Sequence, residues 1–277
     1  MVKSTQRGKN MEIEQIWNTA EPLTFDYTTH RAPAFRFPAH SHNAYELIFY
    51  IRGDVTYLIE DRKYELRECD LVITRPAEHH YLRVNSDADY ERYDLLIAPD
   101  HPLTRLLQAI PREVEVINCR NNGVIAENFK RLAEYSKRFP KDIFHELLSA
   151  LLTEILYNVQ TLKKDLYIAP QKVSPLIQKA LTYINAHLFT IQNISEVSDE
   201  LFIAQNYFFR LFKETLKISP KKYINNKRLL FAQQLIAGGE KPTAVYLKCG
   251  FSNYVSFYKR YVEFFGHNPS AERVYQN

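Results

Sequence analysis

The amino-acid sequence predicts an α+β protein of two domains: an N-terminal β-barrel with a helical segment (1–165) and a C-terminal all-α domain (172–277). Three observations carry this. Apolar residues alternate with a period of two from about Phe25 to Pro99. They recur at helical spacing after His101. The last hundred residues repeat themselves at an offset of 49 positions.

In the first half, Leu47-Ile48-Phe49-Tyr50-Ile51 is a short apolar run that stops at Gly53. Val55, Tyr57 and Ile59 then alternate with polar residues, and Asp61-Arg62 reads as a turn before Tyr64 and Leu66. Leu71-Val72-Ile73 ends at Pro76, and Tyr93 to Ile97 supplies a further strand. Many short strands at this spacing indicate a sandwich or a barrel.

From Val124 to Lys164 the spacing turns helical, and Pro140 divides the stretch into two helices. The second carries a wide stripe of Phe144, Leu147, Leu148, Leu151, Leu152, Ile155 and Leu156. Such a stripe suits packing within its own domain or the seam of a homodimer, and spacing does not separate the two. Lys163 to Ser174, which holds Pro170 and is followed by Pro175, reads as the linker. Beyond it Ile177, Ala180, Leu181 and Ile184 mark one helix. Ser219-Pro220 opens another, whose buried face is Tyr223, Ile224, Ala232, Leu235 and Ile236 and which Gly238-Gly239 ends.

Composition bounds the chemistry. Of 277 residues 45% are hydrophobic and 25% charged, which excludes wholesale disorder. No window approaches eighteen apolar residues, so no membrane partner is expected, and MVKSTQRGKN leads into no signal sequence. Cys69, Cys119 and Cys249 are few and far apart, which fits a reducing, cytoplasmic location without a cysteine-based zinc site. Seven glycines form neither GxGxxG nor GxxxxGK, which argues against a dinucleotide fold or a P-loop. The net charge of +4 is uneven: residues 1–170 hold 22 Lys/Arg against 25 Asp/Glu, and 171–277 hold 14 against 7. A basic half joined to a slightly acidic one points to a polyanionic partner.

The repeat sharpens this. Shifted by 49, Phe208 falls on Phe257, Phe212 on Tyr261, Glu214 on Glu263, Pro220 on Pro269 and Arg210 on Lys259. Two short helical units joined by a longer helix fit a duplicated helix-turn-helix. In the first unit Tyr207, Phe208, Leu211 and Phe212 share one face, while Gln205, Asn206, Arg210 and Lys213 share another and suit base edges or phosphates. In the second, Phe257 and Tyr261 are core candidates and Tyr254, Val255, Tyr258 and Lys259 face outward. Lys221, Lys222, Lys227 and Arg228 on the joining helix are candidate phosphate neutralisers. The expected partner is double-stranded DNA.

These pieces resemble the DNA-binding domain of the AraC/XylS transcription regulators. The matching runs are Ile177-x-x-Ala180-x-x-Tyr183-Ile184-x-x-His187, Arg210-Leu211-Phe212-Lys213, Pro220-x-x-Tyr223-Ile224-x-x-x-Arg228-Leu229-x-x-Ala232, Gly250-Phe251-Ser252-Asn253 and Gly266-x-x-Pro269-Ser270-x-x-Arg273. By position, Gln205, Asn206 and Arg210 match the family's first base-reading helix, and Tyr254, Val255, Tyr258 and Lys259 its second. Departures cluster in the first unit, with Phe202 and Lys217 at usual glycines and Ala204 at a usual Ser cap; Ser198 and Tyr246 replace small alanines, and Val262 stands where Lys is usual. The resemblance implies a non-enzymatic, promoter-binding homodimer, an activator that meets RNA polymerase when a small effector binds.

His40-x-His42-x-x-x-Glu46-x-x-x-x-x-x-Gly53 has the spacing of the first cupin motif, so the N-terminal domain is expected to be a cupin-like barrel. Two imidazoles, a carboxylate and a later His79 or His80 suit a divalent transition metal, and a metal-dependent cupin enzyme with a helical appendage is the alternative. The second cupin motif is degraded: Glu78 replaces its Gly and its His is displaced. AraC-type sensors carry a similar run generally without a catalytic metal. The resemblance therefore implies neither metal nor cofactor, and makes His40, His42 and Glu46 structural or effector contacts. Ile51-Arg52-Gly53 and Glu78-His79-His80-Tyr81 are similar to stretches of sugar-responsive family members, which implies a carbohydrate pocket from Arg52, His79, Tyr81 and Tyr93.

Overall fold

A computed structural model describes residues 22–30 and 37–272; Arg273 of the last family run and the ten leading residues fall outside them. The strands are β1 (Leu23–His30), β2 (Tyr45–Arg52), β3 (Val55–Ile59), β4 (Arg62–Glu65), β5 (Asp70–Thr74), β6 (His80–Val84), β7 (Tyr90–Ile97), β8 (Val116–Asn118) and β9 (Gln171–Lys172). They form a five-stranded sheet in the order β1-β7-β2-β5-β8 and a four-stranded sheet in the order β6-β3-β4-β9.

Among the described residues these sheets do not close on each other. The expected barrel is therefore corrected to an open sandwich, a distinction that strand alternation cannot make because both architectures bury alternate residues. Ile48, Tyr50, Val72 and Tyr90 of the larger sheet meet Val55, Tyr57, Ile59 and Leu82 of the smaller. The opposite face of the larger sheet carries Leu47, Phe49, Leu71, Ile73, Leu95 and Ile97. Both its faces are covered, which is why β2 and β5 read as continuous apolar runs.

Helices α1 (Thr104–Gln108), α2 (Gly123–Arg138) and α3 (Lys141–Gln160) cover that second face. Asn122 caps α2 by accepting from the Ile125 amide at 3.2 Å. Phe144, Leu148, Leu151, Leu152, Ile155 and Leu156 are buried in this core with Phe129. Most of the leucine stripe thus packs on its own domain, each buried Leu contributing about 1.5–3 kcal/mol. The expected linker is not loose: β9 pairs with β4 through Arg62↔Lys172.

The C-terminal domain comprises α4 (Pro175–Ala186), α5 (Ser195–Glu200), α6 (Gln205–Leu216), α7 (Pro220–Ala237), α8 (Pro242–Lys248) and α9 (Tyr254–Phe265). Ser174, Ser219 and Asn253 cap α4, α7 and α9 through their side chains. Ala204, at the corresponding place before α6, makes no side-chain cap bond. Lys217 and Gly266, 49 positions apart, end α6 and α9 in the same left-handed conformation at φ 60° and 78°. Phe202 also sits at φ 54° and is 95% exposed. The departures from the family pattern are thus accommodated as local strain and a missing cap, with the paired units intact.

Candidate functional site

The helix pair presents the expected outward face. Gln205, Asn206, Arg210 and Lys213 on α6 are exposed, while Phe208, Phe212, Thr215 and Leu216 are buried. On α9, Val255, Tyr258 and Lys259 are exposed, Tyr254 is half-buried, and Phe257 and Tyr261 are buried. Lys221 and Lys222 are exposed on α7. The Arg210 guanidinium lies 5.7 Å from the Tyr207 ring centroid, so an exposed aromatic supports the cation on this outward face.

Arg228 is the correction in this set. Its guanidinium is turned inward and donates to the carbonyls of Leu188 (2.7 Å), Gly250 (2.9 Å) and Ile191 (2.6 Å). Gly250, at φ 76°, is needed there: a Cβ would sit 2.5 Å from the Phe189 carbonyl oxygen. Arg228 therefore ties the two helix-turn-helix units together instead of reaching a phosphate. Lys227 is similarly engaged, 2.8 Å from Glu60 of the N-terminal domain.

In the N-terminal domain four ligand-type side chains converge. His40, His42, Glu46 and His80 each offer one atom within 4.8 Å of the others. A local detail of the fold creates this. The chain before β2 runs beside β6, where the His40 and His80 amides and carbonyls exchange hydrogen bonds of 3.0 Å. Phe37 N bonds Leu82 O and Ala77 N bonds His42 O, each at 2.9 Å. The motif therefore converges through a paired loop and a strand.

Glu46 is the hub. His80 Nε2 lies 2.9 Å and His42 Nε2 3.6 Å from its Oε2, and the Tyr57 hydroxyl donates to the same oxygen at 3.2 Å. Burial alone would raise the Glu46 carboxyl, but His80 and His42 hold it well below the usual range. Burial also opposes a charge on His80, yet the Glu46 carboxylate raises its pKa. Burial and the neighbouring His80 hold His40 well below its ordinary value, and burial lowers His42. The site thus combines an ionised carboxylate with imidazoles of opposite tendency.

The proposed sugar set is not brought together. Arg52, at the end of β2, has an exposed side chain and pairs with Glu91 and, at 3.8 Å, with Asp89. Tyr93 faces the helical layer, stacked on Phe25 (5.8 Å) and Phe129 (5.9 Å). Its neighbours Arg92 and Asp94, paired at 2.9 Å, face the inter-sheet side instead; strand alternation, applied one residue either way, would have found them. Burial and the nearby Glu46 push the Asp94 carboxyl up to about 8 despite Arg92.

His79 and Tyr81 point the other way from His80. His79 Nε2 donates to Leu216 O at 2.9 Å, and the Tyr81 hydroxyl to Thr215 O at 3.1 Å. Both acceptors are last-turn carbonyls of α6, the groups a helix leaves unpaired. Ser41 Oγ, between His40 and His42, lies 3.3 Å from His79 Nδ1, and Gln234 of α7 donates to Asn43 at 2.8 Å. Glu60, which follows β3, accepts from Tyr223 at 2.6 Å. Sequence reasoning missed this seam because no local pattern marks contacts more than a hundred positions apart.

A two-sheet domain fastened to paired helix-turn-helix units defines a class: a sensor joined to a nucleic-acid reader. Comparison with known proteins gives the family. The model of the AraC-like ligand binding domain matches residues 22–154, and that of a helix-turn-helix domain matches 197–274. The chain belongs to the AraC-type transcription regulators. It is 32% identical over 148 residues to the probable transcriptional regulator LumQ of Photobacterium leiognathi, a match covering 47% of this chain and 60% of LumQ. It is 23% identical over 235 residues to the activator RhaS of Escherichia coli, covering 80% and 82% of the two chains. Apo ToxT of Vibrio cholerae aligns at 13% identity and a TM-score of 0.41 over 90% of this chain and 96% of its own, a likeness too distant to argue from. No helix among the described residues is long and apolar enough to cross a membrane.

Proposed function

We propose that the protein is a cytoplasmic, effector-responsive transcription activator that grips promoter DNA through α6 and α9. The observation that carries this is the division of each helix: an exposed polar and cationic face on one side, aromatic core on the other. Gln205, Asn206, Arg210 and Lys213 would read the first groove, and Tyr254, Val255, Tyr258 and Lys259 the second. Lys221 and Lys222 would hold register on phosphates. The activator role follows RhaS, which carries it in its name; contact with RNA polymerase follows from that role.

The effector, in this reading, is a small polar metabolite of the sugar class that bears on the His40, His42, Glu46 and His80 region. Support comes from alternation: His40, His42 and His80 face the cluster, while Ser41, Asn43, His79 and Tyr81 touch the reader or its partners. A shift of the loop or of β6 is thereby passed to the C-terminus of α6, a rigid rod about 18 Å long. The effector needs only a different affinity for two arrangements of this seam. Homodimerisation is supported by exposed Ile143, Ala150 and Tyr157 at heptad spacing on the outer face of α3.

The test is fluorescence anisotropy of the full chain on duplexes from upstream of its neighbouring genes, across a salt series and a panel of sugars. Salt-dependent binding that a sugar shifts supports the reading; binding that no salt or sugar alters contradicts it. The cluster itself favours a second reading, a metal-dependent enzyme, which the same assay separates by the absence of DNA binding.

A further inference from the structure

We propose that His40, His42, Glu46 and His80 form a binding site for one divalent first-row transition-metal ion. Three imidazoles and one carboxylate are a donor set suited to zinc, iron, cobalt or nickel, and neither calcium nor magnesium favours it. Their ligand atoms already lie within 4.8 Å of one another. A tetrahedral site with bonds near 2.1 Å needs donors about 3.4 Å apart, so closing requires shifts of only about an ångström.

The outer contacts fit the same purpose. His40 Nδ1 donates to Pro38 O at 2.8 Å, and His80 Nδ1 donates to Glu78 O at 2.9 Å. A carbonyl can only accept, so each ring keeps its proton on Nδ1 and presents Nε2 as the ligating atom. Carbonyl-anchored imidazoles of this kind are the usual support of metal-bound histidine. Glu46 is likewise held by Tyr57, whose hydroxyl also lies 3.2 Å from Thr74 Oγ1. The mutual His40–His80 backbone bonds fix two donors in register before any ion arrives.

His80 Nε2 lies 2.9 Å from Glu46 Oε2, a distance that either a proton on Nε2 or a shared cation accounts for. A proton serves that one pair. A metal ion serves four donors at once, and explains why two further imidazoles are gathered on the same carboxylate. The ion would also join the loop bearing Ser41 and Asn43 to the strand bearing Tyr81. Its regulatory consequence, a change in DNA affinity through α6, rests on the regulator reading above; the binding of the ion does not.

The full chain, stripped with chelator, is titrated with Co2+ alone, following the visible ligand-field bands and the bound metal by native mass spectrometry. One Co2+ per chain, displaced by Zn2+ and weakened by about tenfold or more in Glu46→Gln and in His40→Ala, is expected. His40 sits on a half-buried loop, so its variant keeps the test open should Glu46→Gln fail to fold. No stoichiometric Co2+, or equal affinity in folded variants, overturns the site. DNA anisotropy with and without Zn2+ is the second arm, where a change of about fivefold is expected and is lost in His40→Ala. Bound metal with unchanged DNA affinity removes the regulatory consequence and leaves the site. Absence of DNA binding in every metal state removes that consequence together with the regulator reading, while the Co2+ spectrum still decides the site.

Discussion

The Tyr223 hydroxyl of the C-terminal domain donates a 2.6 Å hydrogen bond to Glu60 of the N-terminal domain, and Lys227 completes the clasp on the other carboxylate oxygen at 2.8 Å. Glu60 also accepts from the amide of His79 at 3.1 Å. The same residue thus orders the strand that caps α6 and anchors the helix that follows it. The two domains are joined by directed polar contacts, each open to test.

The clasp should depend on pH. Burial opposes the Glu60 charge, but Lys227, His79 and Tyr223 hold its carboxyl below the ordinary value. A folded-state pKa below the unfolded one contributes stability that is complete above the unfolded value and is lost as pH falls through the folded value. Glu60→Gln should therefore lower the melting temperature at pH 7, by about 2 kcal/mol of stability, and the gap should narrow below about pH 4.5. Calorimetry of both proteins across pH checks this; a gap that is absent at pH 7 or widens in acid contradicts it.

Arg228→Ala should damage the fold rather than DNA reading alone. Removing the guanidinium leaves the carbonyls of Leu188, Gly250 and Ile191 without that donor. We expect a loss of about 2–4 kcal/mol in urea unfolding of the C-terminal transition. Unchanged unfolding with weakened DNA binding would return Arg228 to the phosphate-contacting set.

The missing cap of α6 can be restored. Ala204 has extended backbone at φ −63° and ψ 134°, suited to a capping side chain, but has none to offer. Ala204→Ser should stabilise the first helix-turn-helix by about 0.5–1 kcal/mol, seen as a higher urea midpoint. Lys217→Gly should act in the same direction, since Lys217 is held at φ 60°. A lower midpoint in both would show that these left-handed and uncapped positions are not sources of strain.

The sequence displayed some of this and hid the rest, for physical reasons. Strands, the helical layer and the duplicated units were legible because period two, period 3.6 and a repeat are local signals. Closure of the sheets was not, since Tyr57 and Ile48 alternate identically in a sandwich and a barrel. His40, His42 and Glu46 were found together from spacing, whereas His80 stood beside His79 as an alternative until the β6 register separated them. Tyr93 was one residue from the inter-sheet face, and a slip of one reverses every side chain of a strand. Arg228 read as a surface cation because charge alone does not show which carbonyls surround it.

Arg210, exposed on α6 and backed by Tyr207, is expected to read bases. Arg210→Ala should cost about 1–3 kcal/mol on the preferred duplex and less on others, which relaxes discrimination. Equal losses on all duplexes would make Arg210 a phosphate contact instead.

The most direct measurement is anisotropy of the full chain on promoter duplexes from about 50 to 300 mM salt, alongside the Arg210→Ala and Lys259→Ala variants. We expect log affinity to fall linearly with log salt, with a slope of about −4 or steeper, and both variants to weaken binding. A chain that binds no duplex in a salt-dependent way, or variants that bind as the parent does, would contradict DNA reading by α6 and α9.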